Sequence, residues 1–160
     1  MTKAPTRLWG FALVVCRNEE GKWLAVNETK KRGWWLPGGF VEPGESFEDA
    51  AIRECLEESH IEIRLEGVLR VEFSPAGKEA RMRVIFYGVP TRSGQVPKSV
   101  PDKESQEARW VTRQELEELG QMKVGLRGPE LLSWSWYVEN GGAVYPLSIL
   151  SRESTNIPAR

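Results

Sequence analysis

The chain has little of what usually sorts a protein quickly. Its 160 residues hold two cysteines, Cys16 and Cys55, and one histidine, His60. No disulfide framework and no zinc-ligand spacing can be built from those. Both cysteines lie among apolar neighbours, so buried free thiols are expected. The formal net charge is −1, and beyond Lys30, Lys31 and Arg32 there is no basic stripe. A stable nucleic-acid partner is therefore not expected. The first residues, MTKAPTRLWG, lack the apolar centre of a signal peptide, and the longest early apolar run, residues 11–16, is far too short to cross a bilayer. The expectation is a cytoplasmic protein with no membrane contact. No internal repeat and no domain boundary stand out. One domain over residues 1–160 is expected, with its core at about 8–140 and a flexible tail at 151–160.

What the chain does have is concentrated at residues 38–61, GGFVEPGESFEDAAIRECLEESHI. A glycine pair, Gly38 and Gly39, opens the stretch and allows close backbone approach, so that a main-chain carbonyl can point at a metal. A loop through Pro43 and Gly44 leads to a helix with Ser46 as its N-cap. Phe47, Ala51 and Cys55 recur at helical spacing, and Ile52 and Leu56 widen that stripe into a core-facing side. Glu54, Glu57 and Glu58 stand at i, i+3 and i+4, so three carboxylates project from one side. An ordinary charge run of this kind is a solvated face. Like charges at that spacing destabilise a helix, and a hard divalent cation among them removes the penalty, because Mg²⁺ takes oxygen ligands and bridges carboxylates to phosphates.

The spacing from Gly39 through Glu45 and Arg53-Glu54 to Glu57-Glu58, with Cys55 and Ile61 at apolar positions, resembles the Nudix box, GX5EX7REUXEEXGU. Trp34, Leu36, Pro37 and Gly38 resemble that family's approach to the box. His60 departs from the pattern, standing where Gly would end the helix in the left-handed conformation. The resemblance covers roughly residues 8–140 and implies an α/β fold, a Nudix-type αβα sandwich with a mixed β-sheet. It implies hydrolysis of a nucleoside diphosphate derivative with Mg²⁺ or Mn²⁺. Carried over by position, Glu54, Glu57 and Glu58 are metal ligands, with Glu54 alternatively the base, and the Gly39 carbonyl is a further ligand. Arg53 and Glu45 look like partners that orient the ligands. The late stretch Asp102-Lys103-Glu104-Ser105, followed by Trp110, resembles members that cleanse oxidised nucleotides. In the family, a glutamate on that loop is a ligand or base, which nominates Glu104 over its rival Glu107.

Elsewhere the expectations are coarser. Residues 8–17 and 22–27 read as two strands of a hairpin around a turn at 18–21. Residues 28–33 read as a solvated loop, with Arg32 as a candidate phosphate contact. Of Trp34 and Trp35, one fills the core and the other stacks on a base or covers the sheet. Residues 62–74 form a strand with a bulge near Gly67, and 80–89 form the next. Residues 91–105 are a long loop, 107–111 a short strand, and 113–119 a helix with Thr112 and Glu115 as a capping box. The last helix, 128–140, is apolar almost all round, which suits a core or a homodimer surface.

The leading expectation is an enzyme: water attacks phosphorus in a small nucleotide, a nucleoside di- or triphosphate (oxidised ones included), a nucleotide sugar or ADP-ribose. Such chemistry needs positioning and charge stabilisation, not a nucleophilic side chain. The alternative is a catalytically silent Nudix-fold module that senses a nucleotide. Retention of every glutamate on the metal face speaks against it.

Overall fold

The apolar run near the N-terminus becomes the first strand, β1 (Arg7–Cys16), and the rest of the fold is laid on both of its faces. This computed structural model describes residues 3–157. In order there follow β2 (Trp23–Glu28), a 3-10 turn (Thr29–Lys31), β3 (Trp34–Trp35), β4 (Gly38–Phe40), α1 (Phe47–Ser59), β5 (Ile63–Ala76), β6 (Glu79–Pro90), β7 (Ser105–Val111), α2 (Arg113–Gln121), α3 (Glu130–Glu139) and a 3-10 turn (Leu147–Ile149). Val14, Val15 and Cys16 are all fully buried. A strand covered on both sides needs no polar face, which explains the unbroken apolar run.

Among the described residues there are two sheets. The first has the order β4-β1-β6-β5 and is mixed, because β1 runs parallel to β6 while its other pairings are antiparallel. The second has the order β3-β2-β7 and is antiparallel. One core cluster joins Ala12, Val14, Leu24 and Val26 to Ala50, Ala51 and Cys55 of α1. The other joins Leu13, Val15, Trp23 and Ala25 to Leu116 of α2 and Leu131 of α3. Helices on both faces make the expected αβα sandwich. No helix among the described residues is long and apolar enough to cross a membrane.

Two expectations are corrected. The turn at 18–21 forms, but β1 and β2 share only the bridge Arg17–Trp23 before β2 leaves to pair with β3 and β7. The chain therefore switches sheets at this turn instead of closing a hairpin. In α1, Ile52 is 37% and Leu56 43% exposed, while Ala50, Ala51, Cys55, Glu58 and Ser59 are buried. Small alanines let the helix lie close on the sheets, and in that rotation the acidic side turns inward. The expected bulge, capping box and free thiols are present. The β5–β6 register slips between Leu65 and Gly67, and Thr112 and Glu115 form the capping box. Both cysteines are buried and free. Residues 151–157 are exposed and carry no helix or strand, and 158–160 lie outside the described residues.

Candidate active site

The site begins with how α1 is held at each end. Ser46 Oγ accepts from the Asp49 N–H at 3.1 Å and starts the helix. His60 ends it at φ 63°, ψ 18°, and its N–H reaches the Leu56 carbonyl. The left-handed residue that the pattern assigns to Gly is thus present, made by histidine.

Glu54 lies directly against Gly39. A Cβ on Gly39 would sit 2.4 Å from Glu54 Oε1, and one on Gly38 would sit 2.3 Å from Leu13 Cδ2. Any side chain at either position would push β4 off β1 or displace the carboxylate. Glu58 is nearly inaccessible, at 8% exposure. Burial, with the Glu54 carboxyl hydrogen-bonded beside it, pushes Glu58 up to about 9. Burial raises Glu54 too, while its bond to Arg53 works in the other direction. Both acids are thus raised, Glu58 the more, because it is the more deeply buried.

Arg53 braces the group. Its Nε and Nη2 donate to the two Glu45 oxygens at 2.7 and 2.9 Å, and Nη2 also donates to the Phe40 carbonyl at 3.0 Å. Nη1 donates to Glu54 Oε1 at 3.0 Å and to Glu57 Oε2 at 3.2 Å. The hydrogen bonds from Arg53 to Glu45 hold the Glu45 carboxyl below its ordinary range. Glu57 is the most exposed of the three helix acids, with 40% of its side chain open to solvent.

The remaining candidates are spread out. Glu104 ends the long loop, one-third exposed, with Lys103 Nζ 3.7 Å away. Glu107 lies within β7 and pairs with Arg109 at 2.6 Å. Trp35 is buried in the cluster under α2 and α3, and its indole N–H donates to Glu130 at 3.0 Å. Trp34 packs partly against the same cluster beneath the Arg109 guanidinium. Arg32 is exposed. The structure thus gathers Gly39, Glu45, Arg53, Glu54, Glu57 and Glu58, and puts both indoles with the other core cluster.

One acid escaped the sequence reading. Glu28 ends β2, and its charge helps raise Glu58. Both of its oxygens accept from Arg127 Nη1, at 2.7 and 2.9 Å. The signal was available: Leu24, Val26 and Glu28 alternate along β2, and the first two lie in the cluster under α1.

Among the described residues, no three acidic, histidine or cysteine side chains converge closely enough to hold an ion as they stand. The donor set nonetheless suits a hard cation. Glu54 and Glu58 are all-oxygen donors pressed together in a poorly solvated place, where two negative charges need a proton or a cation between them. Glu57 is held by one guanidinium contact at an exposed position, a weak tether.

A family model described as NUDIX domain matches residues 7–132. The chain belongs to the Nudix family. It is 33% identical over 126 residues to "Putative nudix hydrolase 1" of Caenorhabditis elegans, covering 76% of this chain and 32% of that protein. It is 38% identical over 77 residues to "Putative 8-oxo-dGTP diphosphatase" of Bacillus subtilis, covering 48% of this chain and 50% of that one. The chain therefore spans a third to a half of the length of these relatives. Among solved structures, a NUDIX hydrolase from Nitrosomonas europaea superposes with a TM-score of 0.67 at 23% identity, over 93% of this chain and 97% of that one, a likeness of fold.

Proposed function

We propose that the protein is a divalent-metal-dependent pyrophosphohydrolase that cleaves the diphosphate linkage of a small nucleoside diphosphate derivative. The observation that carries this reading is the pair Glu54 and Glu58, side by side: Glu58 is buried, and the half-buried Glu54 lies against Gly39 and is braced by Arg53. A helix does not turn like charges inward for stability, since packed apolar residues would serve better there. Mg²⁺ or Mn²⁺, when bound, neutralises pyrophosphate charge and lowers the pKa of a water. Glu54, Glu57 and Glu58 would hold it, together with the Gly39 carbonyl. Arg53 keeps Glu54 and Glu57 aligned while Glu45 keeps Arg53 in place. Glu54 or Glu104 takes the proton from the attacking water. Oxidised nucleoside triphosphates fit this reading through the name of the Bacillus subtilis relative and through the Glu104 loop. Nucleotide sugars and ADP-ribose remain the comparison substrates. A module that only senses nucleotides has no use for an inward-facing acid pair.

The test is release of phosphate, pyrophosphate or nucleotide from a panel of these compounds, with Mg²⁺ and with EDTA. Glu57→Gln keeps shape and removes charge. It is expected to fold normally and to lose about 10³-fold in kcat, as when a centre of transition-state charge stabilisation is removed. Near-normal turnover by that variant with Mg²⁺ as the sole metal would sink the proposal.

A further inference from the structure

The last four carbonyls of an α-helix have no partner within the helix and must find one elsewhere. In α1 these are Leu56, Glu57, Glu58 and Ser59. The His60 N–H takes Leu56 O at 2.9 Å. The other three are met by the long loop and the start of β7. Lys98 Nζ donates to Glu57 O at 2.6 Å, Ser105 Oγ to Glu58 O at 2.6 Å, and the Lys98 N–H to Ser59 O at 2.8 Å. The carbonyls of Glu57 and Glu58, whose carboxylates form the candidate site, are thus both gripped from outside the helix.

Lys98 is an unusual residue for this task. Its side chain is 0% exposed, and it forms an ion pair with Asp102 Oδ2 at 2.7 Å. A buried ammonium without a charged partner is costly, so burial here implies a fixed arrangement. Its charge lies at the negative end of the α1 dipole, which favours it. The Lys98 carbonyl also accepts from the Ala108 N–H at 2.9 Å, which ties the loop to β7. Asp102 Oδ1 in turn accepts from the N–H groups of Glu104 and Ser105, at 2.8 and 3.2 Å. One connected set of bonds therefore runs from the last turn of α1 through Lys98 and Asp102 to the backbone of Glu104.

We propose that Lys98, with Asp102 and Ser105, is a positioning clamp that sets the last turn of α1, and with it Glu57 and Glu58, against the loop acid Glu104. The inference rests on the reading of the α1 acids as the metal-holding face. Lys98 touches no carboxylate of that face, so it acts through backbone placement alone. Residues that orient ligands from behind typically matter by about 10–100-fold in metal affinity or activity.

Lys98→Met tests this. It keeps the stem and removes the donor, and Asp102, 43% exposed, is left in contact with water rather than buried without a partner. Mn²⁺ binding to the substrate-free protein is measured by calorimetry, kcat and KM on the preferred nucleotide, and Tm by circular dichroism. The expected result is a folded protein with Mn²⁺ affinity about 10-fold weaker or worse, kcat lower by a similar or larger factor, and KM within about 3-fold. Lys98→Arg, which retains a donor, is expected to recover part of both losses. A fall in Tm with Mn²⁺ affinity and kcat both kept would make Lys98 a stability residue and overturn the proposal. Should Lys98→Met fail to fold, Ser105→Ala removes only the bond to Glu58 O. It is expected to weaken Mn²⁺ binding about 3-fold or more, and unchanged binding and kcat overturn the clamp. Glu57→Gln runs in parallel. If it loses Mn²⁺ and activity while the clamp variants keep both, the clamp alone falls. If it loses neither, the reading of the site falls first.

Discussion

Glu104 and Glu107 are three residues apart, yet they are in different situations. Glu107 is inside β7 and held by Arg109 at 2.6 Å. Glu104 ends a loop, its backbone fixed by Asp102 and its carboxylate one-third exposed. A group that must reach a water or a cation needs a placed backbone and a loosely held side chain, and Glu104, 3.7 Å from Lys103 Nζ, fits this better than Glu107. Glu104→Gln is therefore expected to lower kcat by about 10²-fold if it acts as the base. Glu107→Gln is expected to cost a few-fold at most, since it removes one exposed ion pair. Both should be assayed at saturating Mg²⁺, so that weaker metal binding is not mistaken for lost proton transfer. If Glu107→Gln is the more damaging, the base belongs to β7 and not to the loop. At this scale the box residues were legible because their spacing is local. Alternation with Leu24 and Val26 could have put Glu28 on the α1 side of β2, but its nearness to Glu58 comes only with the fold.

At the scale of the element, α1 shows what periodicity can and cannot decide. Its start at Ser46 and its left-handed end at His60 follow from residue chemistry and were readable. Its rotation was not. Ile52 and Leu56 satisfy the apolar pattern but face outward, because the alanines and the tight approach of Gly39 favour a different seat. The sheet switch after β1 was hidden for a similar reason. A turn and two apolar runs specify a reversal, but partner choice depends on β7, more than eighty residues later. The helix end yields its own prediction. A non-glycine residue in the left-handed region costs about 1–2 kcal/mol, and His pays part of that here. His60→Gly removes the Cβ penalty and is expected to hold or raise Tm, with kcat within a few-fold. A loss of activity comparable to that of Glu57→Gln, in a folded protein, would show that the imidazole itself takes part.

At the scale of the whole molecule, the split into two sheets makes the site. Gly38 and Gly39 come from β4 of the first sheet, Glu28 and Ser105 are paired across β2 and β7 of the second, and α1 spans the two. Glu58 is buried where these parts meet, so its protonation is tied to global stability. Its carboxyl is pushed from 4.5 up to about 9, first by burial and then by Glu54. Between those values the folded protein keeps a proton that the unfolded chain has released. Stability must then fall as pH rises through that window, the reverse of an ion-paired carboxylate. Glu54, also raised, adds to the trend in the same direction. For a domain of this size ~1 kcal/mol is worth about 2–4 °C in Tm, so a drop of ~4 °C or more is expected between pH 5.5 and 8.5 in EDTA. A bound cation replaces the proton as partner to the acid pair, so saturating Mg²⁺ or Mn²⁺ is expected to flatten the slope and to raise Tm most at the alkaline end. Glu58→Gln, neutral at every pH, is expected to lose most of the slope without metal. The measurement is Tm at three pH values, with EDTA and with metal, for both proteins. A metal-free wild type whose Tm is level or rises from pH 5.5 to 8.5 would mean that Glu58 is ionised in the folded state, held by the Gly38 N–H and by solvent, and that the acid pair does not need a cation.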